Sequence, residues 1–116
     1  MNIKIYHNPR WSKSKESVKI LQDYKKSFII IEYIKEGLNQ KTLNDILSIL
    51  DLNPIEIIRT NDNDFKKLNL SVTQLEDKKL LIDILIKYPK IMQRPIIINE
   101  GKGVIGRPPE NIYTIL

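Results

Sequence analysis

Residues 3–14 read Ile-Lys-Ile-Tyr-His-Asn-Pro-Arg-Trp-Ser-Lys-Ser, a stretch in which an extended pattern ends and a helical one begins. Apolar and polar residues alternate until His-Asn-Pro stops the extended pattern, which predicts a short strand over residues 2–6. After a loop, Ser12 or Ser14 caps a helix that runs to about Lys26, because apolar residues recur every three positions on one face. The chain therefore begins with a strand, a loop and a helix.

A second strand is predicted over residues 28–34, which are dense in β-branched side chains. The run is too short and too continuous for an amphipathic helix, so we expect a strand that is buried on both faces. A strand, a helix and a strand in succession predict a parallel pair joined by a right-handed crossover.

The middle of the chain, residues 38–90, has the pattern of an all-helical insertion. Asn39 or Thr42 begins a helix whose apolar residues follow the i, i+3, i+4, i+7 rule and which ends before residue 53. Further along, Thr73-x-x-Glu76 is a capping box that predicts a helix to about residue 87.

Extended structure returns with short strands at residues 96–98 and 104–105, joined by a turn that contains glycine. Pro108 or Pro109 then begins a last short helix. The order βαβ, helices, ββα predicts a single α/β domain over residues 1–116. We expect a thioredoxin-like fold with a mixed four-stranded sheet and the 38–90 insertion within it.

Composition sets further limits. The chain has 116 residues, 41% of them hydrophobic and 28% charged, so a packed core is expected. The absence of cysteine excludes disulfides, Cys-ligated metals and a thiolate nucleophile from this chain, and we expect no metal site. No apolar run approaches the roughly 20 residues that span a bilayer, and no signal-peptide core is found. We therefore expect a cytoplasmic protein with no membrane contact.

The loop over residues 7–13 has the features of an anion site. A loop that enters a helix directs unpaired backbone N–H groups and the positive end of the helix dipole at its mouth. Arg10, Lys13 and Lys15 add positive charge, and the hydroxyls of Ser12 and Ser14 can donate hydrogen bonds. The excess of basic residues is confined to residues 1–26, which favours attraction of an anion over direct binding of a nucleic acid.

Arginine is rare in this sequence, with four residues against fifteen lysines. All four lie in predicted loops or at strand edges, where the planar guanidinium can bind an oxyanion with two hydrogen bonds. The alternative is that each pairs with a carboxylate or caps a carbonyl. Pro95, directly after Arg94 at the entrance of a strand, belongs at a sheet edge or in a cis bond.

Four parts of the sequence together resemble the glutaredoxin-linked arsenate reductase family, of thioredoxin fold. They are residues 7–14, Arg59-Thr60, residues 93–98 and residues 104–110. The resemblance implies a cis peptide bond at Pro95. It also implies that arginines converge on arsenate or arsenite at the helix mouth, that Ser14 and His7 tune the nucleophile, and that glutathione and glutaredoxin supply electrons. The converging arginines would be Arg59, Arg94 and Arg107.

Trp11 stands where the resemblance places the catalytic cysteine. Arsenate reduction by the family mechanism needs a thiolate of lowered pKa and a labile arsenic–sulfur bond, and indole provides neither. We therefore expect that the chain does not reduce arsenate by that mechanism. Trp11 either covers the oxyanion site, for which arsenate, phosphate and sulfate are candidate ligands, or presents a docking surface, or plugs the vacant site.

Two other functions remain open at this point. One is a non-catalytic regulatory or binding module, similar to the transcription regulators of the same fold that dock on RNA polymerase, although the paired cysteines of those regulators are missing. The other is an enzyme of different, thiol-independent chemistry with His7 as general base. The simpler interpretation of His7 is a loop residue that is hydrogen-bonded to nearby backbone.

Overall fold

A mixed sheet is built by the two ends of the chain. The computed structural model describes residues 3–10 and 12–116. Its strands run in the order β2-β1-β3-β4, with β1 parallel to β2 and antiparallel to β3, and β3 antiparallel to β4. Their bounds are Ile3–Tyr6 for β1, Phe28–Ile31 for β2, Ile96–Asn99 for β3 and Lys102–Ile105 for β4. The predicted parallel pair and mixed four-stranded sheet are confirmed.

The helices alternate with these strands and fill the middle of the chain. The α-helices are Ser12–Asp23 (α1), Tyr33–Glu36 (α2), Gln40–Leu50 (α3), Asn63–Lys66 (α4), Val72–Leu75 (α5) and Lys78–Lys87 (α6), and the 3-10 helices are Pro54–Ile57, Pro89–Ile91 and Pro109–Thr114. None of the helices in the described ranges has the length and hydrophobicity that crossing a bilayer requires.

The chain divides into two compact units, Met1–Glu36 with Arg94–Leu116, and Gly37–Gln93. In the first unit, the core joins β1, α1, β3 and the last 3-10 helix, because each contributes isoleucine or leucine side chains to one cluster. Its buried members are Ile3, Ile5, Leu21, Ile97, Ile112 and Ile115. Burial of these side chains is the main stabilising contribution in this unit.

The prediction that residues 28–34 form a strand buried on both faces is wrong. β2 ends at Ile31 and lies at the edge of the sheet, with 45% of Ile29 and 43% of Ile30 exposed. Residues 33–36 turn into α2, whose Tyr33 is fully buried. A continuous apolar run fits a central strand, but the position of a strand in a sheet depends on pairings that local sequence does not encode.

In the second unit, the cap of α3 is as predicted and that of the later helix is not. Asn39 accepts a hydrogen bond from the backbone N–H of Thr42 at 2.8 Å. The observed capping box, however, joins Ser71 and Gln74 rather than Thr73 and Glu76. It opens the single turn of α5, and Asp77 caps α6 separately. Several polar residues here satisfy the same spacing rule, so the pattern alone does not select the one that is used.

Candidate functional site

Strand register brings four loops to one edge of the sheet in the first unit. Tyr6 pairs with Ile31 of β2 and with Ile96 of β3, and Ile96 pairs with Ile105 of β4. The chain therefore leaves β1, β2 and β4 at this edge, and the segments that follow begin with His7, Glu32 and Gly106-Arg107, respectively. Arg94-Pro95 enters β3 at the same edge. The sequence predicted three of these segments, and the pairing shows why they meet.

The loop after β1 begins with two buried residues and is internally bonded. His7 and Asn8 are 7% and 6% exposed. The backbone N–H of His7 donates to the carbonyl of Ile31 at 2.9 Å, and that of Asn8 donates to Oγ of the fully buried Ser14 at 3.3 Å. Oδ1 of Asn8 in turn accepts from the backbone N–H of Arg10 at 3.1 Å. Asn8 thus holds the loop in a side-chain-stabilised turn at the start of α1.

The imidazole of His7 favours its neutral form. Burial lowers the pKa of His7 below its ordinary value of 6.5, the nearby carboxylate of Glu32 partly offsets this by raising it, and Lys15 lowers it further. Nδ1 of His7 is buried and has no hydrogen-bond partner among the described residues. The simpler interpretation of His7, a loop residue that is hydrogen-bonded to nearby backbone, is met by its backbone N–H, which donates to the carbonyl of Ile31, and not by Nδ1.

Gly106 lies against α1 and the loop before β3. Its backbone N–H donates to the carbonyl of Pro95 at 2.8 Å. A Cβ on Gly106 would stand 2.9 Å from Cγ of Pro95, 2.9 Å from Oγ of Ser17 and 3.0 Å from Cδ1 of Ile97. Only glycine fits this close approach without displacement of a neighbour. The contact fixes the loops that carry Arg94 and Arg107 relative to the first helix.

The two arginines of this edge differ in exposure. Arg94 is 2% exposed, whereas Arg107 is exposed. The peptide bonds Arg94–Pro95 and Arg107–Pro108 are both cis, the second of which the sequence did not predict. A buried guanidinium is a strong, fixed source of positive potential, and an exposed one can close over a ligand that arrives from solvent.

Arg59 belongs to the second unit. Its Nη1 donates to Oδ2 of Asp62 at 3.0 Å, and both side chains are largely buried. Its backbone N–H donates to the carbonyl of Ile91 at 2.7 Å. The alternative interpretation of the arginines, pairing with a carboxylate, is thus realised at Arg59.

The remaining predicted positions lie around the start of α1. Ser12 is its first residue and is exposed, Ser14 is buried as described, and Trp11 lies outside the described residues. Sequence reasoning missed Asn8 and Ser17. Asn8 could have been found, since His-Asn-Pro before a helix is typical of such a turn, whereas the contact of Ser17 with Gly106 leaves no local signal. Within the described ranges, no group of acidic, His or Cys side chains is placed to hold a metal ion.

Comparisons with known proteins agree with this architecture. The ArsC family model matches residues 6–115. The chain is 35% identical to an arsenate reductase of Haemophilus influenzae over 100% of both chains, and 38% identical to the uncharacterized protein YfgD of Escherichia coli over 98% of this chain and 96% of that one. The solved structure of an arsenate reductase from Vibrio cholerae superposes with a TM-score of 0.92 at 33% identity and covers 100% of this chain and 98% of its own. The chain belongs to the ArsC family, whose known members include arsenate reductases.

Proposed function

We propose that this chain binds an oxyanion, such as arsenate, phosphate or sulfate, at the loop edge of its sheet, and that it does not reduce arsenate by the thiol mechanism of its family. The observation that carries the catalytic half of the proposal is the absence of cysteine from a chain that otherwise matches the family from residue 6 to residue 115.

The missing step is the transfer of two electrons to arsenic. In the thiol mechanism a thiolate forms a bond to arsenic, and glutathione then reacts with the enzyme-bound adduct, so that As(V) becomes As(III) while sulfur is oxidised. Trp11 stands at the position that the resemblance assigns to this thiolate. Carbon and nitrogen of an indole do not form such an adduct, and an ester formed on Ser12 or Ser14 has no attached sulfur to oxidise.

The positions and charges of several described residues support the anion-binding half of the proposal. Arg94 is buried shortly before β3 and Arg107 is exposed shortly after β4, so both lie at the same edge of the sheet. Ser12 begins a twelve-residue helix whose first N–H groups have no helical acceptor. Burial lowers the pKa of His7 and so favours its neutral form, which makes His7 a smaller contributor of positive charge than the arginines. Arg59, from the second unit, is assigned to the anion by the resemblance, and glutathione and glutaredoxin are the matching reductants should a thiol be restored.

Restoring the thiol tests the catalytic half of the proposal. We expect pure protein to form no arsenite from arsenate in the presence of glutathione and glutaredoxin, and Trp11→Cys to gain this activity. Trp11→Ser is the matched control, because serine has nearly the size of cysteine but no sulfur, and it should remain silent. Arsenite production by the unaltered chain would overturn the proposal.

Titration with sulfate, phosphate or arsenate tests the anion half. Fluorescence of Trp11, the only tryptophan, should change as the anion saturates the site, and Arg107→Ala should weaken binding by roughly tenfold or more, since a hydrogen bond to a charged group contributes about 1.5–3 kcal/mol. Lys102→Ala is the matched control, because Lys102 is an exposed cation at the other end of β4. Equal affinities for these two variants, or no anion response up to tens of millimolar, would contradict a retained site.

A further inference from the structure

β2 leaves one side of its backbone unpaired. The carbonyl of Ser27 accepts from the N–H of Ile3 at 3.2 Å, and that of Ile31 accepts from His7 at 2.9 Å. Because backbone groups alternate in direction along a parallel strand, Ser27, Ile29 and Ile31 point towards β1, and the N–H and C=O groups of Phe28 and Ile30 point away from the sheet. No strand in the described part of the chain pairs with that side.

The two edges of the sheet differ in how they are protected. β4, the opposite edge, begins with the exposed Lys102 and the half-buried Gly103, which disfavour pairing with a further strand. β2 is Phe-Ile-Ile-Ile, with neither charge nor proline. Ile29 and Ile30 lie on opposite faces and each exposes more than 40% of its surface. An open edge of this composition is the kind that adds another strand.

We propose that β2 pairs with β2 of a second copy of this chain, antiparallel about a two-fold axis at Ile29. In this register Phe28 of each copy faces Ile30 of the other, and these are the two residues whose backbone groups point outwards. Each facing pair exchanges two N–H···O=C hydrogen bonds, which gives four in total. Ile29 meets Ile29 of the second copy on one face, where an antiparallel pair brings side chains closest together.

Charge complementarity identifies a second copy as the partner. The same register extends by two pairs at each end, first Ser27 opposite Ile31 and then Lys26 opposite Glu32 of the second copy. The backbone N–H groups of Lys26 and Glu32 bond within their own chain, to the carbonyl of Leu21 and to Oε2 of Glu36, so this outer contact is made by the side chains. The two-fold axis repeats the contact, so two opposite-charge pairs flank the apolar centre. Lys26 is exposed and Glu32 is half-buried, and neither forms an ion pair within the described residues. The strand is therefore complementary to itself in backbone, apolar contact and charge.

Sedimentation equilibrium of the full chain tests the proposal, because the mass should approach twice 13.6 kDa as concentration rises. Lys26→Glu and Glu32→Lys should each weaken the dimer by about tenfold, since either change replaces two attractive pairs by two repulsive ones at up to about 1 kcal/mol each. The double variant Lys26→Glu with Glu32→Lys restores both pairs and should recover the original dissociation constant.

Lys102→Glu is the matched control, because it makes the same change of charge at the opposite edge of the sheet and should leave the dimer intact. Circular dichroism of every variant confirms that the fold persists. Amide hydrogen exchange supplies a second readout. The backbone N–H groups of Phe28 and Ile30 should exchange more slowly as the dimer forms, whereas that of Ile29 is already protected by β1. A chain that stays monomeric up to about 1 mM, or a dimer that the single changes leave intact or the double change does not recover, would overturn the proposal.

Discussion

Gly106→Ala should destabilise the first unit through steric contact alone. The added Cβ would lie within 3.0 Å of Pro95, Ser17 and Ile97, and the hydrogen bond from the N–H of Gly106 to Pro95 restrains the backbone from moving away. All three contacted atoms belong to side chains, so they can yield in part. Overpacking of this kind costs about 1–3 kcal/mol.

The contribution of Ser17 can be separated from the rest. Oγ of Ser17 is buried without a hydrogen-bond partner among the described residues, so Ser17→Ala should leave the free energy of unfolding unchanged or raise it by up to about 1 kcal/mol. Removing this oxygen also removes one of the three short contacts with the new Cβ. The double variant Ser17→Ala with Gly106→Ala should therefore be more stable than the sum of the single effects, with a coupling of about 0.5–1 kcal/mol.

Urea unfolding followed by circular dichroism measures these free energies. A loss of 2 kcal/mol corresponds to a fall in Tm of about 8 °C for a chain of this size. Gly101→Ala is the matched control, because a Cβ there meets no atom within 4 Å, and it should be neutral or slightly stabilising. Equal stability of the Gly106 and Gly101 variants, or additive effects of Ser17→Ala and Gly106→Ala, would refute the packing argument.

Two further predictions concern pH and capping. Because burial lowers the pKa of His7, the native state favours the neutral ring, so His7 contributes stability that is complete above pH 6.5 and is lost as the pH falls from there to the folded pKa. NMR titration of this single histidine measures the folded pKa, and His7→Asn should remove the dependence of the unfolding free energy on pH in this window. A folded pKa at or above 6.5 would contradict the prediction. Asn39→Ala removes the bond to Thr42 and should cost about 1 kcal/mol in chemical denaturation, whereas Lys41→Ala removes only an exposed pair with Asp45 and should cost a few tenths at most; similar losses in both variants would argue against a specific cap.

Local sequence patterns were sufficient to predict helices and strands, but not to predict which elements lie next to one another or which of several caps is used. Alternation in residues 3–6 and the cap at Asn39 act over a few residues, and both are found as predicted. The edge position of β2 and the use of Ser71 rather than Thr73 as the cap were not predicted. In each case two or more arrangements satisfy the same local rule, and contacts with residues distant in sequence select among them.

The candidate site also combines features that the sequence predicts with features that only packing sets. The loop over residues 7–14 and Arg94 were predicted because their residue types suit an oxyanion at a helix start. The burial of Arg94, the turn held by Asn8 and the neutral tendency of His7 depend on what surrounds them. Solvent exposure and electric field are properties of packing, so no spacing rule encodes them.

One chemical fact follows from composition alone, which is that this chain has no thiol with which to reduce arsenate. No arrangement of the chain can supply an atom that the chain lacks. Packing of the chain, by contrast, places Gly106 against Ser17 and Pro95, buries Arg94, and leaves β2 as an open edge. These depend on strand order and on distances between residues far apart in the chain, which form only when the core packs.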